Sequence, residues 1–496
     1  MSGKIGFDHN KYIRTQSEQI ARRISEFGGK LYLEFGGKLF DDYHASRVLP
    51  GFQPDSKVRM LQSMADDVEI VIVINAGDIE SNRIRRDIGI TYDTDVLRLI
   101  DAFRGMGLYV GSVVIAQFSG QPAAAAFRER LESNGIRVFI HYPIEGYPLN
   151  VSHIVSEEGF GKNEYIETSR PLVVVTAPGP GSGKMATCLS QLYHEYIRGI
   201  KAGYAKFETF PIWNLPLKHP VNLAYEAATA DLNDVNMIDP YHMEAYNQIA
   251  VNYNRDIEVF PVLNAIFERI AGVSPYKSPT DMGVNMAGLC ICDDEVTCKA
   301  ARDEIIRRYF NALCDRKNGT GKAEAVSKLE LLMRQANISV EDRPVVRAAL
   351  AKSDSVGGTP AVAIQLPDGR IVTGKTSPLL GPSAAALLNA VKALAGIPKE
   401  EKLISPETIE PIQHLKTDYL GNHNPRLHSD EILIALSICA SRDPRIADAM
   451  RMLRELRDCE AHSSVMLAQV DNDVYRKLGL HLTSEPRYDT KKLFHK

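Results

Sequence analysis

The 496-residue sequence has no long apolar run, little net charge and few cysteines. Its longest apolar runs, such as residues 68–74, are far shorter than a membrane span, and its first residues carry no apolar signal-peptide core. The formal net charge of -4 favours neither a nucleic acid nor a membrane as partner. Seven cysteines without an export signal indicate free thiols in a reducing compartment. We therefore expect a cytoplasmic protein.

The first two hundred residues alternate between strand and helix patterns. The segments "VEIVIVIN" (68–75) and "PLVVVTAP" (171–178) are continuous runs rich in β-branched residues, which is typical of strands covered on both faces. They predict an α/β fold: a doubly wound, mostly parallel, Rossmann-like domain over residues 1–224. The predicted strands are Lys30–Phe35, Val68–Ile74, Leu108–Ile115, Arg137–Ile140, Leu172–Thr176 and Lys206–Phe210, and the predicted helices are Lys11–Phe27, Asp95–Gly105, Pro122–Ser133 and Lys184–Lys201.

The remainder of the chain divides into two further predicted domains. Strand signals fade over residues 225–350, which predicts a helical domain interrupted by a long polar loop at 272–285. The composition of residues 351–360 is typical of a linker. Residues 351–496 predict a smaller α+β domain, in which a Pro-Asp-Gly turn joins two strands and helices follow, among them 381–398, 429–441 and 445–460.

Two segments are candidates for a phosphate loop. Residues 369–376, "GRIVTGKT", match the pattern G-x-x-x-x-G-K-[ST] completely, whereas the match at residues 178–185 has Pro178 in place of the first glycine and Met185 in place of the final hydroxyl residue. The complete match begins in an Asp-Gly turn and continues as a strand sequence, and an extended chain cannot close around a phosphate. The imperfect match follows a buried strand and precedes a helix, so we favour it.

The loop at 178–187 has the composition of an anion cradle. Alternating glycines let successive backbone N–H groups point inward, and the following helix N-terminus adds its positive end. Lys184 stands at that helix start, where the helix dipole disfavours a positive charge unless an anion compensates. The residues predicted to contact the ligand are Gly179, Gly181, Ser182, Gly183, Lys184 and Thr187. The alternative is a tight strand-to-helix turn that binds nothing.

Other polar groups follow the predicted strands. Lys38, Asp41 and Asp42 come after the first strand and Asp78 follows the second, so the carboxylates are candidate magnesium ligands, with a solvated turn as the alternative. Asp239 and His242 in the helical region are candidates for substrate contact. The catalytic candidates are Lys38, Asp78, Lys184, Asp239 and His242, and the metal candidates are Asp41, Asp42 and Asp78.

Three segments carry a family resemblance: "LYLEFGGKLFDDYHASRVLPGF", "APGPGSGKMATCLSQLYHEY" and "LPDGRIVTGKTSPLLGPSAAALLNA". They resemble a family of functionally uncharacterised bacterial proteins of about this length, some of which are labelled ATP-dependent peptidases or zinc proteases. The resemblance implies a multi-domain α/β protein with a Rossmann-like N-terminal part, and it implies no catalytic residue. A zinc protease helix needs H-E-x-x-H, but after His194 and Glu195 the second histidine position holds Arg198.

The C-terminal region has a second, fainter resemblance. Two strands followed by a helix of small residues are similar to the cytidine-deaminase type of fold, but its zinc motifs, H-x-E and P-C-x-x-C, do not occur after residue 351. The spacing of Cys290, Cys292 and Cys298 favours packed thiols over metal ligands, and the thirteen histidines show no metal-ligand spacing. We therefore expect no zinc.

Together these candidate residues favour an enzyme that binds a nucleotide or a phosphorylated small molecule. Backbone donors and Lys184 suit phosphate charge, and the carboxylates suit Mg²⁺, so magnesium-dependent phosphoryl or nucleotidyl transfer is the predicted reaction. One alternative is a Rossmann-type enzyme for a dinucleotide or nucleotide sugar, with Glu208 in the next strand as the ribose-binding acid. The other is a non-catalytic ligand-binding or assembly protein. We also expect a homo-oligomer.

Overall fold

The chain folds into two compact units. The structure, a computed structural model, describes residues 4–36, 39–40, 42–85, 88–232 and 234–490. The first unit contains residues 4–226 and 234–300, and the second contains residues 301–490 together with 227–232. No helix of the described residues is long and apolar enough to cross a membrane.

The first unit is a mixed α/β structure with eleven strands among its described residues. The strands are β1 Leu31–Phe35, β2 Val68–Asn75, β3 Ile84–Arg85, β4 Ile90–Thr91, β5 Tyr109–Ala116, β6 Val138–Ile140, β7 Leu172–Thr176, β8 Gly203–Phe207, β9 Asn236–Ile238, β10 Val251–Tyr253 and β11 Gly283–Val284. The helices are α1 His9–Glu26, α2 Tyr43–Val48, α3 Ser56–Gln62, α4 Ala76–Glu80, α5 Tyr92–Gly105, α6 Pro122–Ser133, α7 Val151–Ile154, α8 Lys184–Ile197, α9 Pro220–Ala228, α10 Pro240–Tyr246, α11 Asn254–Ala271, α12 Pro279–Met282 and the beginning of α13 Asp294–Lys317.

A seven-stranded parallel sheet forms the centre of this unit, in the order β11-β8-β1-β7-β2-β5-β6. Every residue of β1 and β7 is buried, as is nearly all of β2 and β5. This confirms the parallel sheet that the β-branched runs predict. From β2 the chain moves toward β5, and from its neighbour β7 it moves the opposite way, to β8. The strand order therefore reverses between β2 and β7.

Helix α8 is held against the sheet by its apolar face. Cys188, Leu189 and Leu192 pack in one core with Val173 and Val175 of β7. Apolar residues of α11 complete that core, among them Phe260, Leu263 and Phe267. This packing fixes the start of α8 directly beyond the end of β7, because only seven residues, 177–183, separate the two elements.

The second unit contains a smaller mixed sheet with the order β13-β12-β14-β15. Its strands are β12 Ala361–Gln365, β13 Ile371–Lys375, β14 Glu460–Ser463 and β15 His481–Ser484. Besides the end of α13, its helices are α14 Ala323–Gln335, α15 Pro344–Asp354, α16 Pro382–Leu394, α17 Pro406–His414, α18 Ser429–Ala440, α19 Pro444–Arg451 and α20 Gln469–Leu478. Strand β12 pairs antiparallel with β13 and β14, and β14 pairs parallel with β15.

The complete phosphate-loop match lies in this sheet as a hairpin. Gly369 has φ +86° in the turn, Leu366 N–H bonds Arg370 O at 2.8 Å, and the following residues form β13. A Cβ on Gly374 would lie 2.1 Å from the backbone nitrogen of Ala386 in α16, so this glycine serves close strand–helix packing. The hairpin predicted from the Pro-Asp-Gly turn is confirmed.

Several predicted boundaries were wrong. Strands β9, β10 and β11 occur within residues 225–350, where only helices were predicted. The helix predicted over 445–460 ends at Arg451, and Glu460 begins β14. Residues 351–354, predicted as linker, are the last turn of α15. Strand β8 ends at Phe207 and not at residue 210, which leaves Glu208 just beyond the strand. The division into domains at 1–224, 225–350 and 351–496 stays a prediction.

A buried ion-pair network ties helices to the small sheet. Glu460 of β14 accepts from Arg343 Nε at 3.0 Å and also pairs with Arg307. Arg307 bonds Glu304 at 2.8 Å, and Arg343 donates to Thr483 Oγ1 at 2.7 Å. Burial opposes ionisation, but the two guanidinium groups outweigh it and hold the pKa of Glu460 below its usual value. Glu460 thus compensates two buried cations.

Replacing Glu460 by Gln should destabilise the protein strongly, because it leaves Arg307 and Arg343 without their shared charge. We expect the free energy of unfolding to fall by about 3 kcal/mol or more in urea denaturation. Asp448→Asn is the control, since the pair of Asp448 with Arg451 is 57% and 65% exposed and its loss should change stability by less than about 1 kcal/mol. Equal effects of the two substitutions would contradict the central role of Glu460.

Candidate anion site at the carboxyl end of the parallel sheet

The loop between β7 and α8 is shaped by its glycines. Gly181 and Gly183 have φ of +79° and +96°, in the left-handed region that other residues avoid. A Cβ on Gly179 would lie 2.2 Å from the Tyr92 hydroxyl, so only glycine fits there. Ser182 is buried and its hydroxyl donates to Gly179 O at 2.6 Å, which holds the loop closed on itself. The strand, glycine-rich loop and helix start predicted for this segment are confirmed.

The first turn of α8 receives no hydrogen bond from a capping side chain. Its N-cap is Gly183, and the helix begins at Lys184. The first backbone N–H groups of a helix have no partner within the helix, and together with the dipole they form a positive end. The side chain of Lys184, half-buried, adds a formal charge there. Among the described residues Lys184 has no ion pair, so the local charge is uncompensated.

Thr187 lies one turn into α8 with its hydroxyl unsatisfied. The residue is 1% exposed, its N–H bonds Gly183 O at 2.9 Å, and its Oγ1 has no hydrogen-bond partner in the structure. A buried hydroxyl without a partner costs about 1–3 kcal/mol. Such a group requires an explanation, and an ordered water, an ion or a ligand can each supply the missing partner.

Neighbouring strands hold this loop in place. Asn75, the last residue of β2, donates from Nδ2 to Gly181 O at 3.4 Å and accepts from Gly77 N at 2.7 Å, which caps α4. A Cβ on Gly183 would lie 3.1 Å from Cβ of Ala116, the last residue of β5. The loop therefore lies at the point in the sheet where the strand order reverses.

The two carboxylate oxygens of Asp78 differ in their contacts. Its Oδ1 accepts from Arg83 Nη1 at 3.0 Å, whereas its Oδ2 is buried and has no hydrogen-bond partner among the described residues. The hydrogen bond that Arg83 donates to Asp78 raises the pKa of Arg83, whose guanidinium lies 4.9 Å from the ring of Tyr92. Because Tyr92 also contacts Gly179, these contacts connect Asp78 to the glycine loop. The structure thus brings Asp78, predicted from its place after β2, to the wall of the site.

The other predicted metal ligands are differently placed. Asp42 caps α2 by accepting from Ala45 N at 3.2 Å, and it pairs with Lys57 Nζ at 2.8 Å. Although burial opposes it, the Lys57 charge holds the pKa of Asp42 below its usual value. Asp42 is therefore occupied by a structural ion pair. Lys38 and Asp41 lie outside the described residues, and their roles stay predictions.

Asp239 and His242 are brought together, but with structural partners. Asp239 is fully buried, caps α10 by accepting from His242 N at 3.1 Å, and accepts from Thr280 Oγ1 at 2.6 Å. His242 Nδ1 lies 3.0 Å from Ser278 Oγ, and its ring packs against Tyr246. These contacts anchor the segment around α12. A catalytic role for either residue stays a prediction.

A second polar cluster lies at the end of β8. Lys206 pairs with Glu208 at 2.8 Å and also bonds Asp256 and the hydroxyl of Tyr253. Burial would lower the pKa of Lys206, but Asp256 and Glu208 outweigh it and hold that pKa well above its usual value. Burial raises the pKa of Glu208 to about 7, against the opposing charge of Lys206. A carboxyl group that titrates near neutrality can donate or accept a proton under physiological conditions.

Two observations connect this cluster to its surroundings. Glu34 is in register with Lys206 on one side and with Val175 of β7 on the other, so β1 lies between the cluster and the glycine loop. A cavity of about 20 Å³, enough for one water molecule, is lined by Glu208, Thr280 and six other residues.

The polar Lys206 and Glu208 flanking a buried Phe207 were a usable sequence signal. Their partners Tyr253 and Asp256 are too distant in sequence to have been found.

The two residues that come nearest to a zinc protease motif are also structural. Glu195 is fully buried and accepts from Tyr32 OH at 2.6 Å, and it pairs with Lys30. His194 Nε2 lies 2.8 Å from Asn163 O, and burial lowers the pKa of this histidine. His194 and the Oε1 oxygen of Glu195 are therefore engaged by contacts within the first unit.

These features define a mixed α/β protein with a seven-stranded parallel sheet and a glycine loop at its carboxyl end. The chain belongs to the DUF1846 family: the model for the N-terminal "domain of unknown function DUF1846" matches residues 5–337, and the C-terminal model matches residues 341–494. The family resemblance seen in the sequence is thereby confirmed.

Relatives in streptococci are similar over the whole chain. The UPF0371 protein of Streptococcus thermophilus strain CNRZ 1066 is 60% identical over 493 residues, 99% of this chain and 100% of the relative. That of Streptococcus sanguinis strain SK36 is 59% identical with the same coverage, and that of Streptococcus pyogenes serotype M5 is 58% identical over 99% of both chains.

Replacing Glu208 by Gln should change the pH dependence of stability. With a pKa of about 7 in the folded protein and 4.5 as the ordinary value, native Glu208 retains a proton that the unfolded chain releases. This group therefore makes the protein less stable as pH rises from about 4.5 to 7, by up to about 1.4 kcal/mol per pH unit. Urea unfolding of Glu208→Gln at pH 5, 6 and 7 should lack that decline.

The control is Glu258→Gln, at an exposed position of α11. It should keep the pH dependence of the natural protein, because an exposed carboxylate has little interaction to lose. Parallel pH profiles for the natural protein and Glu208→Gln would contradict a neutral, buried Glu208.

Proposed function

We propose that the protein is an enzyme that binds a nucleotide or another phosphorylated small molecule at the glycine loop, residues 178–187. The observation that carries the proposal is Lys184, which adds an uncompensated charge to the positive end of α8. A phosphate group would accept from the loop N–H groups and neutralise that lysine. The unsatisfied Thr187 hydroxyl is a further donor for the same ligand.

The strand order supports this location. In open α/β sheets, ligands bind beyond the carboxyl ends of the strands, at the point where the strand order reverses. Here that point lies between β2 and β7, and the glycine loop follows β7 directly. A doubly wound, Rossmann-like description of the first unit is part of this proposal.

Magnesium-dependent phosphoryl or nucleotidyl transfer is the reaction that the side chains suit best. The buried Oδ2 of Asp78, which has no partner among the described residues, has the chemistry of a Mg²⁺ ligand, and an ion held there would neutralise phosphate charge. Asp42 would join it only by leaving Lys57. Met185 has no hydroxyl, so Thr187 is the nearest hydroxyl to take the usual place of the serine or threonine.

Glu208 is the proposed proton-transfer group. It follows β8, and β8 is separated from β7 by β1, so two strand spacings, about 9–10 Å, separate it from the glycine loop. A ligand whose phosphate lies on the loop would have to extend across the end of β1 for its reacting group to reach Glu208. This distance fits a nucleotide or sugar phosphate better than a free phosphate ion.

The dinucleotide alternative is less well supported. It requires an acidic residue at the end of the strand beside the glycine loop, where the ribose would lie. Glu208, which sequence order favoured, follows β8, and β8 is not a neighbour of β7 in the sheet. Glu34 of the adjacent β1 accepts from Tyr204 OH at 2.7 Å, so that oxygen is occupied. The non-catalytic alternative predicts that the protein turns over none of a panel of nucleotides in the presence of magnesium.

Location and assembly are part of the same proposal. We propose a cytoplasmic protein, for which the seven cysteines free of disulfide bonds are the support. We also propose that it forms a homo-oligomer. Exposed apolar side chains of the first unit, such as Ile197 at 61% and Val273 at 70% exposure, are surface that self-association would cover.

Replacing Lys184 by Ala should abolish stabilisation by phosphorylated ligands. Thermal unfolding with and without ATP, ADP, NAD, a nucleotide sugar, a sugar phosphate and pyrophosphate, each with and without Mg²⁺, should show a rise of a few degrees for at least one ligand. Lys184→Ala should lose it, whereas Lys402→Ala, at an exposed position of the second unit, should keep it. Absence of any ligand effect on the natural protein would overturn the proposal.

Replacing Thr187 by Val should separate ligand binding from folding. The substitution removes the unsatisfied hydroxyl and keeps the shape, so the protein without ligand should be as stable as the natural one or more stable by about 1 kcal/mol. The rise in melting temperature caused by the ligand should shrink. A stable variant with an undiminished ligand effect would show that Thr187 does not contact the ligand.

A further inference from the structure

Three side chains of the first unit form a compact group of metal-ligand type: His219, Asp294 and Cys298. Their ligand atoms all lie within 4.8 Å of one another. His219 Nε2 lies 3.0 Å from Asp294 Oδ1 and 3.5 Å from Cys298 Sγ, and Cys298 Sγ lies 3.6 Å from Asp294 Oδ2. Imidazole, carboxylate and thiol therefore converge on one point from two separate elements.

The 3.5 Å between His219 Nε2 and Cys298 Sγ matches a tetrahedral metal centre, and each of these atoms has a different carboxylate oxygen of Asp294 at 3.0–3.6 Å, one of which would bind the ion. With metal–sulfur bonds of about 2.3 Å and metal–nitrogen and metal–oxygen bonds of about 2.0 Å, tetrahedral geometry places sulfur about 3.5 Å from either partner and nitrogen about 3.3 Å from oxygen. We propose that His219, Asp294 and Cys298 bind a zinc-class divalent ion, with water in the fourth position. The nitrogen, oxygen and sulfur donors suit zinc and exclude hard ions such as Mg²⁺, which avoid thiolate.

The local fold explains how the three groups meet. Asp294 and Cys298 are four residues apart at the beginning of α13, so they lie on one face of the helix. His219 directly precedes Pro220, the first residue of α9. Asp294 is the first residue of α13, and the positive end of the helix stabilises a carboxylate there, which is the form that binds metal. Asp294 is 62% exposed, so the ion can enter from solvent, while His219 is 10% exposed.

One contact competes with metal binding. Val221 N–H donates to His219 Nδ1 at 3.3 Å, so without metal His219 caps α9 and its Nε2 carries the proton that points to Asp294. A metal bound to Nε2 would displace that proton. The neutral ring would then carry its proton on Nδ1, so Nδ1 could no longer accept the long hydrogen bond from Val221 N–H. The opposing description is a hydrogen-bonded cap with an adjacent thiol and no metal site.

The test uses the full-length protein, stripped with chelator, reloaded with zinc and freed of excess metal by gel filtration. We expect about one zinc per chain by elemental analysis, and loading with Co²⁺ should produce a thiolate-to-metal charge-transfer band. Cys298→Ser should abolish the band and weaken zinc binding at least about 10-fold. The control Cys439→Ser, in the second unit, should change neither, and Lys184→Ala should leave metal binding intact because the anion site is separate.

His219→Asn distinguishes the two descriptions. Asparagine is a good N-cap residue and keeps the end of α9 capped, but it removes Nε2. We expect normal stability without metal, loss of the zinc-dependent rise in melting temperature, and at least about 10-fold weaker zinc binding. The proposal is overturned if the natural protein retains less than about 0.1 zinc per chain, or if His219→Asn and Cys298→Ser both bind zinc as the natural protein does.

Discussion

The central strands of the first unit are buried on both faces, and the placement of its polar groups depends on that constraint. Strands β1 and β7 offer no exposed position, and apolar side chains of α8 and α11 cover one face of the sheet. Ionisable groups that could take part in a reaction are therefore restricted to the strand ends and to positions with buried partners. At the carboxyl end this produces a loop with an unpaired cation beside a cluster with paired charges.

Two lysines illustrate the contrast. Lys206 has Glu208, Asp256 and Tyr253 as partners, which compensate for its burial and hold it in place. Lys184 has no ion pair among the described residues and extends from a helix start that already carries positive potential. The first arrangement is complete without a ligand. The second is electrostatically incomplete, which is why we propose the phosphate site at Lys184 and not at Lys206.

Features fixed by neighbouring residues could be predicted from the sequence. The hairpin at Gly369 and the helix start at Lys184 depend on local turn chemistry, and both were found where expected. The helix predicted through 460 failed because β14, which begins at Glu460, pairs with β12 and β15, whose residues lie far away in the chain. The contacts of Glu208 with Tyr253, and of His219 with Asp294, join segments 45 and 75 residues apart, so no spacing rule could reveal them.

The contact between Gly179 and Tyr92 joins the anion loop to a different part of the chain. Tyr92 begins α5, directly after the small β3–β4 hairpin, and Arg83 lies against its ring while bonding Asp78. The side chains of Tyr92 and Arg83 therefore connect the glycine loop to the segment that contains the hairpin. If an ion on Asp78 drew Arg83 away, the Tyr92 ring would lose its support, and the glycine loop would gain room to change shape. Metal binding at Asp78 and the conformation of the glycine loop would then change together.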